Sequence, residues 1–171
     1  ADGVSSTIFS RSWANLLTRA ATACPPDIND LSAVETWLAK LKIAWKKTFD
    51  IRKLAWNQRA KLKQYGGGAA TLLWIEMQCL SDSEHPEAGP YTVRGFSIGD
   101  CCLFQLRNDK VIDIFGINSL EDFGLSPKTL SATQQFNADE FTIETWEGEC
   151  ERGDMIVLAT DAIAEWFYKQ I

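Results

Sequence analysis

The sequence predicts an α+β domain in which helices and antiparallel strands form separate layers. Three observations carry this. Helical periodicity fills most of residues 6–64, and β-compatible runs with turn signals fill much of residues 69–160. A last helical segment then follows a buried-looking strand. Alternating βαβ units are absent, which argues against a doubly wound sheet.

The first helix is read over "STIFSRSWANLLTRAATACPP", where Ile8, Trp13, Leu16, Leu17 and Ala20 recur at helical spacing. Ser5, Ser6 or Thr7 is the expected N-cap, and Pro25 and Pro26 end the helix. A second helical region runs from Leu31 to Gln64. Ser32 and Glu35 match an S-x-x-E capping box. Leu31, Val34, Leu38, Leu41 and Trp45 make its apolar stripe. A break is expected near Phe49 to Ile51, and the glycines at 66–68 end the region.

The texture then changes. "AATLLWIEMQCL" is β-compatible, and "SDSEHPEAGP" is a turn-rich loop holding the only histidine, His85. "YTVRGFSI", "CCLFQLR" and "KVIDIF" are short strands, with "RNDK" as a hairpin turn. "SLEDFGLSPKTLSATQQFN" reads as irregular. "EFTIETWEG" alternates Phe141 and Ile143 with outward Thr142 and Glu144, as a half-buried strand does. "MIVLAT" reads as a fully buried strand and "DAIAEWFYKQI" as a helix.

Composition narrows the function classes. The chain has 171 residues, 46% hydrophobic with seven Trp, enough for a sizeable core in a single domain. A net charge of -6 argues against binding nucleic acid by phosphate neutralisation. No apolar run approaches membrane-spanning length. The five cysteines are odd in number and lack a C-x-x-C, so neither a disulfide framework nor a zinc pattern is expected. Buried thiols in a reducing, cytoplasmic compartment fit best.

The charge is uneven. Between Lys40 and Lys63 stand nine Lys/Arg and one acid, Asp50, while the other eight basic residues are mixed with 22 acids. A solvated helix face is the plain explanation. The functional one is contact with an acidic partner, with Lys46, Lys47, Arg52 and Lys53 as the candidate residues.

A single histidine leaves carboxylates and glycines as the chemistry-bearing groups. Asp2-Gly3 precedes the first helix, Gly99-Asp100 lies between two strands, and Asp161 follows the apolar run 155–159. Glu165 comes one helical turn later, on the same face as Asp161. Like charges so placed repel by about 0.2–0.5 kcal/mol, and a hard divalent cation would reverse that sign. Each acid also has a plain structural use, Asp161 as an N-cap or a first-turn acid and Gly99-Asp100, like Gly153-Asp154, as a plain turn.

Taken together, "ADGV" before a helix, "GGGAATLL", "FSIGDCCLFQL" and "GDMIVLATDAIAEWF" resemble, in order, the motifs of the type-2C (PPM) metal-dependent Ser/Thr protein phosphatases, bacterial members above all. The resemblance implies a β-sandwich flanked by helices in four α-β-β-α layers. It implies two Mn²⁺ or Mg²⁺ ions, or three. It also implies hydrolysis of phosphoserine and phosphothreonine in a phosphoprotein substrate by a metal-activated water. By position, Asp2 would match the bridging acid and Gly3 the backbone carbonyl ligand. Asp161 would match the Asp after the buried strand. Asp100 and Glu165 would match the acids that help hold a third, weaker metal.

The pattern departs from the family in places. "DGVSS" stands for Asp-Gly-x-Gly-Gly, and Ala162 for a glycine. The family's phosphate-binding Arg and a further acidic ligand would precede Asp2, and its late Asp-Asn would follow Ile171. The 171 residues therefore read as the middle part of such a domain. A catalytically inactive type-2C-like binding or regulatory module is the alternative expectation.

Overall fold

The computed structural model describes residues 1–80, 90–117, 119–123, 127–136 and 143–171. Among these residues the fold is α+β, with four α-helices and antiparallel sheets, as the order of periodicities predicts. The loop with His85, together with Phe141 and Thr142, lies outside the described residues. The described chain divides into two units. One holds Ala1–Leu72 and the described part of Lys128–Thr142. The other holds Leu73–Pro127 and Ile143–Ile171 within the same limits.

In the first unit, β1 (Asp2–Gly3) is followed by α1 (Ser10–Ala23), α2 (Leu31–Lys46) and α3 (Trp56–Tyr65). The predicted break falls between α2 and α3, where a 3-10 turn spans Ile51–Lys53. The cores of α1 and α2 meet through Trp13, Leu17, Val34, Leu38 and Trp45, all buried. The Trp13 and Trp45 rings pack edge to face at 6.3 Å, and Trp45 meets Phe49 at 4.8 Å. Gly67 completes this core by having no side chain, since a Cβ there would lie 2.4 Å from the Trp45 ring. By contrast α3 has no fully buried residue, and half-buried Leu62 approaches this core at Gly67.

Both predicted N-caps move. Helix α1 begins after Phe9, whose backbone is left-handed at φ 62°, and no side chain caps it. Ser5 and Ser6 are exposed. Thr7 instead accepts from Ala69 N at 3.1 Å and pairs with the Ser10 hydroxyl at 2.7 Å, which ties the entry loop to the sheet. The cap of α2 is Asp30, whose carboxylate accepts from Ser32 N at 2.9 Å and Ser32 Oγ at 2.7 Å. A carboxylate two residues upstream thus takes the role expected of Ser32.

Strand β2 (Ala69–Cys79) starts in the first unit, where β1 and β6 (Leu130–Ser131) pair with it antiparallel. In the second unit it continues beside β3 (Tyr91–Ile98), which pairs with β7 (Glu144–Cys150). A three-stranded sheet in the second unit has the order β5-β4-β8, from β4 (Cys102–Arg107), β5 (Lys110–Phe115) and β8 (Met155–Ala159). The "RNDK" turn places Asn108 and Asp109 at φ 52° and 60°, as a two-residue hairpin requires. Helix α4 (Asp161–Tyr168) packs Ala164, Phe167 and Tyr168 on the core around Phe104 and Cys102.

The expectation that "MIVLAT" is buried throughout is corrected. Among the described residues β8 has a neighbour on one side only, β4. Met155 is 60% and Leu158 50% exposed, and only Ala159 is buried. A continuous apolar run does not distinguish an edge strand from a central one.

Candidate functional site

The second unit brings two of the predicted acids, Asp100 and Asp161, to one end of a sheet. Strands β4 and β8 run antiparallel, with Cys102 opposite Ala159. Asp100 precedes the first of these by two residues, and Asp161 follows the second by two. Both carboxylates therefore belong to the same end of the β5-β4-β8 sheet. Asp100 sits half-buried in the turn between β3 and β4. Asp161 is the exposed first residue of α4, where the helix dipole favours an anion. Thr160 holds the N-cap position without a side-chain cap bond, so Asp161 is a first-turn acid rather than the cap.

Glu165 lies one turn into α4, as the spacing predicts. Its Oε1 accepts from Lys169 Nζ at 2.6 Å. That i,i+4 pair offsets the repulsion expected between Asp161 and Glu165, and the signal for it stands in the tail "EWFYK". Among the described residues, no three His, Cys, Asp or Glu side chains lie close enough together to hold one metal ion.

Asp2 and Gly3 belong to the first unit. They pair with Thr71 and Ala70 of β2. Asp2 Oδ1 accepts from Gly3 N at 2.9 Å. Gly3 is required by close approach, because a Cβ there would stand 2.9 Å from the carbonyl carbon of Ser10 at the start of α1. The strand, the entry loop and the helix are joined by Val4, whose N–H donates to Ala69 O at 2.9 Å. The Val4 carbonyl in turn accepts from the Ser10 hydroxyl.

Lys46, Lys47, Arg52 and Lys53 are exposed where α2 ends and the 3-10 turn begins. Arg52 Nε donates to Asp50 at 3.2 Å, in a surface pair of the kind that contributes little. The hydrogen bonds from Arg52 hold the Asp50 carboxyl below its usual range.

The five cysteines are unbonded to one another. Cys101, Cys102 and Cys150 are buried as expected, whereas Cys24 is exposed and Cys79 half-buried, which corrects the expectation of buried thiols for those two. Burial pushes the Cys102 thiol up to about 11, which keeps it protonated and unreactive at neutral pH. Cys150 is raised for the same reason.

One polar cluster is missed by the sequence reading, which takes Gly153-Asp154 as a plain turn. The Asp154 carboxylate is 2% exposed and accepts from Arg107 Nε at 2.7 Å and Arg107 Nη2 at 2.8 Å. It also accepts from Gln105 Nε2 at 2.8 Å and Glu151 N at 3.0 Å. These bonds, the Arg107 pair first, hold its carboxyl far below the usual range. The cluster fixes the turn that feeds β8, and so the register that carries Asp161 to the sheet end. Gln105 and Arg107 sit at i and i+2 on β4, on one face, and that spacing is the only trace of the cluster in the sequence.

No family model, curated protein or solved structure matches the chain. No helix among the described residues is long and apolar enough to cross a membrane.

Proposed function

We propose that this chain is the central part of a type-2C metal-dependent phosphatase domain that hydrolyses phosphoserine and phosphothreonine in proteins. The observation that carries the reading is the emergence of Asp100 and Asp161 at one sheet end, two residues beyond the Cys102–Ala159 pair. The other motifs fall at element boundaries of the expected kind. Asp2-Gly3 forms a strand before the first helix, and "GGGAATLL" opens the strand paired with it. The finer architecture that this reading implies is a helix-flanked β-sandwich, α-β-β-α.

The donor set fits Mn²⁺ or Mg²⁺, since carboxylate and carbonyl oxygens suit hard cations. By the resemblance, Asp2 and the Gly3 carbonyl would be the ligands that the first unit supplies, and Asp161, Asp100 and Glu165 those that the second unit supplies. The chemistry such ions supply when bound is ionisation of a water near neutral pH and neutralisation of phosphoryl charge. Asp161, anchored at the first turn of α4, has a fixed origin from which to hold a ligand. Glu165 lies on the same face but is engaged by Lys169.

The test is phosphate release from a phosphoserine peptide by the full-length protein, with and without Mn²⁺. Release that needs Mn²⁺ supports the reading, and release indifferent to it sinks the reading. Free thiols fit a reducing, cytoplasmic setting.

The Glu165–Lys169 ion pair favours a second reading, a non-catalytic type-2C-like module that binds an acidic partner through Lys46, Lys47, Arg52 and Lys53. Calorimetric titration with Mn²⁺ separates the two. A carboxylate-dependent site counts for the phosphatase, and heat-silent titration counts for the module.

A further inference from the structure

We infer that the cavity between α2 and residues 128–136 in the first unit binds a phosphate group, as free phosphate or on a phosphorylated side chain. The cavity measures about 290 Å³ and its polar wall comprises Lys42, Lys128, Thr129, Ser131, Gln134 and Gln135. Among the described residues no carboxylate lines it. The volume lies near the lower end for ligand pockets, which suits a small group rather than an extended one.

Several features make the wall a built one. Lys42 Nζ donates to the Gln134 carbonyl at 2.5 Å, which holds the ammonium at the cavity edge. Ser131 Oγ accepts from the backbone N–H groups of Thr133 at 3.2 Å and Gln134 at 3.0 Å, so the loop carrying Gln134 is fixed to β6. Leu38, Leu130 and Phe136 close the apolar side, all buried.

The charges want a counter-ion. Burial is the first cause that depresses the Lys42 ammonium, and Lys46 one turn along is the second, with Glu35 opposing. An anion in the cavity would relieve both. Two ammonium groups beside neutral donors match a dianion with three terminal oxygens better than a carboxylate, and lysine serves phosphate as a point charge. A nucleic-acid backbone fits poorly, because the chain as a whole is at net charge -6. None of the acids assigned to metal is in this wall, so the inference stands apart from the proposed hydrolysis.

The experiment titrates inorganic phosphate into the full chain in chelator-containing buffer, with sodium chloride at matched ionic strength as control. Thermal unfolding and the amide NMR shifts of residues 128–136 are read. The chelator removes any contribution from a metal-bound phosphate, so failure here and failure of the phosphatase reading are distinct. The expected result is a saturable rise in the unfolding midpoint, with shifts in those amides. Lys42→Gln and Lys128→Gln should each weaken binding at least about tenfold. Lys61→Gln on α3 should leave it unchanged. Lys128 is exposed, so its variant keeps the test valid even if Lys42→Gln disturbs folding. No phosphate-specific shift, an equal shift with chloride, or an equal loss in Lys61→Gln overturns the inference. A phosphoserine peptide forms a second arm. Tighter binding than inorganic phosphate identifies a phosphorylated side chain as the ligand, and equal or weaker binding identifies free phosphate.

Discussion

Asp100 and Asp161 leave the β5-β4-β8 sheet at the same end, each two residues beyond the paired Cys102 and Ala159. They are 61 positions apart in the chain, and the antiparallel β4–β8 ladder alone brings their backbones to one rim. On the proposed reading these two carboxylates would be cation ligands, although among the described residues no third acidic side chain lies close enough to share one ion with them.

Lys169 competes with any such cation for Glu165. Replacing it by Met should release the carboxylate. Manganese affinity measured by calorimetry should then tighten by up to about fivefold, the value of an exposed ion pair. Unfolding free energy should fall by only about 0.3–0.5 kcal/mol, as for an i,i+4 pair. Unchanged affinity would remove Glu165 from the ligand set.

Asp154 should behave as a buried structural carboxylate. Asp154→Asn breaks charge-assisted bonds from Arg107 and should cost about 1.5–3 kcal/mol in urea unfolding. The sign of the pH effect follows from the direction of its shift. The folded-state value is depressed, so its stabilisation is complete above the unfolded carboxylate value of about 3.9 and is lost as pH falls below it. Acid unfolding of the wild type should therefore be steeper below about pH 4 than that of Asp154→Asn.

Gly67→Ala should be destabilising in thermal melts, by about 1–3 kcal/mol, because the new methyl meets the Trp45 ring. The loss should shrink in a Trp45→Phe background, where the six-membered part of the indole is gone. Equal losses in both backgrounds would point instead to the Leu62 side chain, whose Cδ1 would lie 2.8 Å from the same methyl.

Periodicity made α2, α4, β3 and the β4–β5 hairpin legible, because each has its apolar residues at the spacing its geometry demands. The "RNDK" turn was readable from chemistry alone, since Asn and Asp tolerate the left-handed backbone that such a turn needs. The caps were less readable. Asp30 and Ser32 are both good capping residues, and two positions of slippage change which of them serves. The start of α1 is set by tertiary contacts, since Phe9 adopts its left-handed conformation while packed on Phe49 at 4.8 Å. The exposure of β8 follows from strand order, which no local pattern encodes. In the candidate site, the acids were readable as motif positions and the Glu165–Lys169 pair as i,i+4 spacing, but the Arg107–Asp154 cluster depends on side-chain reach.

The most direct test of the phosphatase reading is the rate of Mn²⁺-dependent phosphate release from a phosphoserine peptide, compared between the full-length wild type and Asp161→Asn. The prediction is release that requires the metal in the wild type and falls at least about a hundredfold in the variant, since lost metal assistance is worth several kcal/mol at the transition state. Undiminished turnover in Asp161→Asn, or turnover indifferent to Mn²⁺, would contradict it.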